Sequence, residues 1–300
     1  MLDTADARDP EARRTFYHAA GRFTVALAVE TQAGLVYVPT NDAVIGERTF
    51  VDRTFEAATT DSALALLGEL GALPNDLGGR DILEVGANIG TQTLVFARMR
   101  GVGRVIALEP APLSARLLRA AVAANELAAC VQVLPLAASD ADSVVAMEAN
   151  PENIGDWRIR SAGAGSDEMG EAEWRLVDVS ARRLDGLAED GTFDIERLAL
   201  AWMDCQGHEG HILAGAAQLL ASGVPIVTEF WPYGLRRAGG LERFAALVAA
   251  SGRRVFDLRG APDGGPAPVD ANALLGLSEA YGPPRFSTVD AAFTDLVLVR

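Results

Sequence analysis

Residues 81–90, DILEVGANIG, read as a short buried strand that runs directly into a turn built from small residues. Gly86 and Gly90 flank Asn88 where a first βα turn would lie. Glycine lets a backbone turn sharply and come close to another group without a Cβ in the way. The helix that follows would offer its unpaired N–H groups to whatever occupies the turn.

Outward from this stretch, strand-like and helix-like segments alternate. TQTLVFARM is helical, VIALEP a strand, PLSARLLRAAVAANEL helical and VQVLPLAA a strand. After an interruption, ERLALAWMD resumes a strand, EGHILAGAAQLLA reads as one helix, and VPIVTEF, RRVFDL and TDLVLVR complete the strands. Such alternation specifies right-handed βαβ units. The expected fold is α/β, a doubly wound, mostly parallel, seven-stranded Rossmann-like sheet spanning 76–300.

Three segments depart from this rhythm. Residues 1–75 read as an N-terminal extension, with a hairpin in FTVALAVETQAGLVYVPT and a helix from about Asp61 to Leu70 capped by Thr60 or Asp61. Residues 140–180 carry period-two runs and the polar stretch GAGSDEMGEAE, expected as an insertion of antiparallel strands or loops at the sheet's edge. GAPDGGPAPVD, between the last two strands, reads as a loop.

Composition limits the partners. The 300 residues carry a net charge of -15, which argues against a nucleic-acid partner, because phosphate neutralisation needs clustered Lys and Arg. All 26 basic residues are arginine, so a lysine nucleophile or Schiff base is excluded. Cys130 and Cys205 have no paired spacing and read as reduced thiols. No apolar run reaches the roughly 18 residues of a membrane span, and the charged start lacks a signal-peptide core, so a cytoplasmic location is expected. The N-terminal hairpin offers an edge that could pair across a homodimer.

Candidate site residues gather at strand ends. The G-x-N-x-G of residues 86–90 lacks the third glycine of the dinucleotide fingerprint G-x-G-x-x-G, which disfavours a pyrophosphate. Glu109 ends the next strand about 20 residues on, where a carboxylate can accept hydrogen bonds from both ribose hydroxyls. Together the two features point to an adenosine-type cofactor without separating methyl transfer from hydride transfer. Ser139 and Asp140 follow the third strand and could meet an adenine amine, or form a plain turn. In AWMDCQGHEG, Asp204 projects from the carboxyl end of a central strand, where open α/β sheets bind ligands. His208, four residues on, is a candidate general base, or a helix-start residue that only caps. Glu229 ends the next strand, and with Asp204 could share a divalent metal through oxygen ligands. Trp231 and Tyr233 could wall a sugar site or simply pack. Asn153 and Gly155, in PENIGDW, could contact a ligand or make a turn.

The ordered set DILEVGANIGTQTLVFAR, VIALEPAP, ENIGDWRI, RRLDGL and LAWMDCQGHEGHILAGAAQLL leading into PIVTEF, with NDAVIGERTFVDRTFE upstream, resembles the FkbM-type methyltransferase family of class I S-adenosylmethionine-dependent methyltransferases. The resemblance implies that Glu84, Gly86, Asn88 and Gly90 border the methionine and ribose of S-adenosylmethionine. It implies ribose binding by Glu109, adenine contact by Ser139 and Asp140, and Asp204 near the sulfonium. It further implies a small-molecule acceptor, a hydroxyl on a sugar or natural product; removal of its proton by His208 or Asp204 is expected from the residues themselves, and a base role for His208 is not a family trait. The chain departs from the family in the apolar AWM before Asp204 and in DCQGHE, where many members carry an acidic residue. An NAD-dependent oxidoreductase and a non-catalytic adenosine-cofactor scaffold are the competing expectations.

Overall fold

The computed structural model describes residues 9–160, 170–261, 263–281 and 292–300. Strands in chain order are β1 (Ala26–Thr31), β2 (Gly34–Pro39), β3 (Asp81–Val85), β4 (Val105–Leu108), β5 (Val131–Leu134), β6 (Ala137–Ala138) and β7 (Ser143–Ala149). They continue with β8 (Arg158–Ile159), β9 (Arg175–Arg182), β10 (Leu198–Met203), β11 (Ile226–Phe230), β12 (Arg254–Asp257), β13 (Ala267–Val269) and β14 (Thr294–Val299).

The main sheet has the order β13-β12-β14-β11-β10-β3-β4-β5. Strands β3, β4, β5, β10 and β11 are parallel, and β14 runs antiparallel between β11 and β12. Strands β3, β10, β11 and β14 are buried at every position, as central strands covered on both faces must be, which explains their near-continuous apolar runs. The chain leaves β3 toward β4 and β5 on one side and returns at β10 on the other. The order therefore reverses between β3 and β10, and a crevice opens beyond their carboxyl ends.

The described sheet has eight strands where seven are expected. The extra one, β13, arises from APV within GAPDGGPAPVD, which pairs antiparallel with β12 at the sheet edge. An edge position tolerates Pro268, which has no N–H to give to a ladder.

The insertion forms its own four-stranded sheet, β6-β9-β7-β8, rather than extending the edge of the main one. The long β7–β9 pairing, from Ser143↔Ala181 to Ala149↔Arg175, leaves it no strand to share. The expected polar stretch at 163–173 falls largely on residues 161–169, outside the described residues.

Two helices differ from expectation. The helix Ala57–Glu69 begins before Asp61, because Glu56 adopts a left-handed conformation, φ 52°, that ends the preceding segment. The expected helix over 209–221 is two, Glu209–Ala214 and Ala217–Ala221. At the break, a Cβ on Gly215 would lie 2.1 Å from the Ser139 carbonyl oxygen. The Asp185 carboxylate caps the second helix by accepting from Ala217 N at 2.9 Å and Gln218 N at 3.1 Å.

The N-terminal hairpin β1–β2 is present as expected. It packs through Val29, Val36 and Val38 against Ile89, Leu94 and Leu117 of the main domain and Ile154 of the insertion. Asp42, 1% exposed, ties the N-terminal segment to the insertion: it accepts from Val44 N and Gly46 N of its own segment and from Ile154 N of the insertion. Among the described residues no helix is long and apolar enough to cross a membrane.

Candidate active site

A cavity of about 410 Å³ opens at the carboxyl ends of β3, β4, β10 and β11. The N-terminal segment at Ala43–Ile45 and the Asn150–Ile159 stretch of the insertion form its outer wall.

At its floor, Gly86 has φ +89°, and a Cβ there would lie 1.8 Å from the Asp204 carbonyl oxygen. Gly86 is thus required first by the approach of two strand tips. Asn88 also has a left-handed backbone, φ 47°, a conformation in which Asn is enriched among non-glycine residues. That turn aims Asn88 N at Glu109, which accepts it at Oε2 over 2.7 Å and accepts Ala111 N at Oε1 over 2.7 Å. Each oxygen keeps a free lone pair, so the carboxyl is held rigidly yet can still accept from a ligand. Asn88 Oδ1 is buried and has no partner among the described residues, an uncommon state that a ligand donor would relieve.

Glu84 and Gly90 do not line this cavity. The Glu84 carboxyl is buried beneath the turn and accepts from Thr93 Oγ1 at 2.6 Å. Gly90 starts the helix Thr91–Phe96 and gives room to Leu118 Cδ1, which a Cβ would meet at 2.5 Å. Both residues support the turn from behind.

The register of the sheet sets carboxyls abreast. Met203 pairs with Thr228, so Asp204 and Glu229 are the next residues on adjacent parallel strands. Glu229 in turn pairs with Asp295 across the antiparallel β11–β14 ladder. Glu56 reaches the same row from the left-handed turn before its helix, with Gln92 Nε2 donating to it at 3.1 Å.

Burial, and then the charge of Asp204, raises Glu56 to about 8 and Asp295 to about 7. The same two causes push Glu229 well above the carboxylate range. Burial alone raises Asp204, against hydrogen bonds with Gln206 and Glu229. Glu84 rises to about 8 and Glu109 to about 7, burial again leading. The row therefore holds protons at neutral pH that it would release to a cation.

His208 lines the cavity, is 5% exposed, and places Nε2 2.9 Å from Ser139 Oγ. Its ring stacks on His211 with centroids 4.6 Å apart. Burial, followed by the field of His211, lowers His208 to about 3, so it is neutral and a weak proton acceptor. Ser139 and Asp140 do not line the cavity. Asp140 is turned toward Arg243 Nη1 at 2.5 Å and His211 Nδ1 at 3.2 Å. Burial works against its ionisation, and these two hydrogen bonds outweigh it and hold the carboxyl below its usual range.

Trp231, Trp157, Asn153 and Gly155 all line the cavity. Tyr233 does not: its hydroxyl donates to Glu171 at 2.6 Å. It belongs to a buried network in which Arg158 binds Asp156 through Nε and Nη2 at 2.7 Å each and Glu171 through Nη1 at 2.9 Å. The Arg158 guanidinium lies over the Trp231 and Trp174 rings at 4.9 Å. The network fastens the insertion to the segment after β11.

Among the described residues no group of three or more His, Cys, Asp or Glu has metal-binding geometry. The Gln206 amide bridges Asp204 and Glu229, its Nε2 donating to Asp204 Oδ1 at 2.7 Å and reaching the Glu229 oxygens at 3.2 and 3.3 Å. The donors present do not fit a metal ion.

Several contributors were not apparent from sequence. Glu56 and Asp295 depend on a left-handed turn and an antiparallel pairing that only the tertiary fold supplies. Gln206 was visible as the residue two after Asp204, but the backward fold of its side chain was not.

Over 158 residues the chain is 27% identical to the 2-O-methyltransferase NoeI of Sinorhizobium fredii, a match covering 50% of this chain and 62% of that protein. Among solved structures, an O-methyltransferase from Bacillus cereus in complex with SAH aligns with a TM-score of 0.40 at 16% identity, covering 81% of this chain and 91% of that one. A SAM-dependent O-methyltransferase from Thermotoga maritima aligns with a TM-score of 0.40 at 11% identity, covering 91% of this chain and 85% of that one. The family model for the methyltransferase FkbM domain matches residues 84–238, from the last turn of β3 through the segment after β11, and the chain belongs to that family.

Proposed function

We propose that the chain transfers a methyl group from S-adenosylmethionine to a hydroxyl of a small-molecule acceptor, a sugar or natural product. The observation that carries this is Glu109, pinned by Asn88 N and Ala111 N at the cavity floor beside a row of proton-holding carboxyls. Glu109 accepts from the ribose hydroxyls, and Asn88 Oδ1 gains a donor.

When bound, S-adenosylmethionine supplies a methyl group on a positively charged sulfur that is a good leaving group. The chain's own task is alignment and removal of one proton. The carboxyl row favours the cofactor's cationic groups once it has released protons. Once ionised, Asp204 can take the acceptor proton at Oδ2, which the Gln206 amide, bound at Oδ1, leaves clear. His208, at about 3, is a poor base and instead packs the wall beside Ser139. Leu136–Ala138 line the cavity and would border an adenine ring, whereas Ser139 and Asp140 do not line it.

Six carboxyl residues line the cavity (Glu56, Glu109, Glu152, Asp156, Asp204 and Glu229), against Arg48 as its arginine. With the net charge of -15, this favours a neutral or cationic acceptor over a nucleic acid. Cys130 and Cys205 are free thiols and suit the reducing cytoplasm. A second copy would pair along the free edge of the β1–β2 hairpin, which light scattering would reveal.

Calorimetric titration with S-adenosylhomocysteine, with and without magnesium, tests the proposal. Saturable binding, unchanged by magnesium, is expected. Binding of NADH in its place would favour a dehydrogenase, and binding of neither would sink the enzyme reading.

A further inference from the structure

Two carboxyls on adjacent parallel strand tips are a common start for a divalent-cation site, because hard cations take oxygen ligands. In this chain the two carboxyls hydrogen-bond to each other, and a neutral group bridges them from the side. Gln206 has a left-handed backbone, φ 53°, a conformation that a non-glycine residue holds only when its surroundings require it. The turn folds its side chain back over the sheet. There Nε2 lies 2.7 Å from Asp204 Oδ1 and 3.2 and 3.3 Å from the two Glu229 oxygens.

A side-chain amide nitrogen carries two protons, enough for one toward each carboxyl. It links the two acids as a cation would, but adds no charge. The Gly207 that follows is held against the backbone of Gly234, 2.2 Å from where its own Cβ would stand, so the turn has little room to swing the amide away.

We propose that Gln206 is a positioning residue whose amide takes the place of a divalent cation between Asp204 and Glu229, and so keeps this cleft metal-free. The inference concerns the carboxyl pair and stands whether or not the acceptor chemistry above is right. It makes Gln206 the residue that decides between two kinds of site on one scaffold. Gln206→Glu keeps the shape and supplies a third carboxylate, while Gln206→Ala removes the barrier without adding a ligand.

The test is calorimetric titration of the full chain with Mn²⁺ at alkaline pH, where the carboxyls are ionised. Wild type is expected to show no saturable heat up to about 1 mM. Gln206→Glu is expected to bind at least about tenfold more tightly than wild type, and to lose that binding when combined with Asp204→Asn. Gln206→Ala should fall between them. It carries the test alone if the third carboxylate prevents folding, which circular dichroism would report. Saturable Mn²⁺ binding by wild type as tight as by Gln206→Ala would overturn the proposal, because the amide would then be no barrier. Absence of any gain in both folded variants would overturn it as well.

Discussion

At the scale of single residues, the floor of the cavity rests on two positions with different duties. Gly86 is dictated by the approach of β10, so Gly86→Ala places a methyl group on the Asp204 carbonyl and strains the backbone at φ +89°. We expect it to cost about 3 kcal/mol or more and to appear as a large fall in Tm. Glu109 is dictated by the ligand as well as the turn. Glu109→Ala should weaken S-adenosylhomocysteine binding by about 10- to 100-fold in calorimetry, the range of lost hydrogen bonds to a charged group. A variant that binds as wild type does would remove Glu109 from the site. Both positions are legible in the sequence, because each sits at the tip of a short, mostly apolar run that reads as a strand. Asp140 was legible only as a polar residue after a strand. Its actual partners, Arg243 and His211, come from helices that no local pattern connects to it.

At the scale of elements, the cavity is closed by pieces that are not part of the main sheet. Asp42→Ala removes the acceptor for Val44 N, Gly46 N and Ile154 N. Loss of about 3 kcal/mol is expected, with faster hydrogen exchange over residues 150–157 and weaker cofactor binding. Unchanged exchange there would mean that the wall is held elsewhere. Arg158→Met would leave Asp156 buried without its Arg158 cation, while Glu171 keeps Arg237 Nε at 3.3 Å, and should cost about 3 kcal/mol in urea unfolding. The alternation of β and α segments was readable because hydrophobic period and turn residues are local signals. The split of the helix at Gly215, the edge strand β13 and the separate insertion sheet were not, since each follows from a contact made at long range. Gly215 yields to the Ser139 carbonyl, and β13 exists only because β12 lies beside it.

At the scale of the whole molecule, the carboxyl row couples folding and ligand binding to protons. In the row Glu56 stands at about 8 and Asp295 at about 7; around it Glu84 beneath the turn and Glu209, which accepts from Cys205 N, stand at about 8 and Glu109 at about 7, all chiefly through burial. Carboxyls in the unfolded chain titrate near 4, so between roughly pH 4 and pH 8 the folded state holds more protons. Stability must then fall as pH rises through that window, the reverse of the usual dependence for ion-paired acids. We expect the Tm of the free protein to drop by several degrees between about pH 5.5 and pH 8.5 in a thermal-shift series. Affinity for S-adenosylmethionine should rise over the same range, because the deprotonated row favours a cation. The uncharged thioether of S-adenosylhomocysteine should gain less. A flat or opposite profile would mean that these acids are ionised in the free protein. The span of the contacts also has a temporal side. The Asp42 carboxylate waits for an amide that lies 112 residues later in the chain. At about 5 to 20 residues per second, Asp42 leaves the ribosome roughly 6 to 22 s before Ile154 does. Val29, Val36 and Val38 can meanwhile be covered by Ile89, Leu94 and Leu117, which precede Ile154 in the chain, so the link from Asp42 to the insertion is secured after the hairpin's own packing.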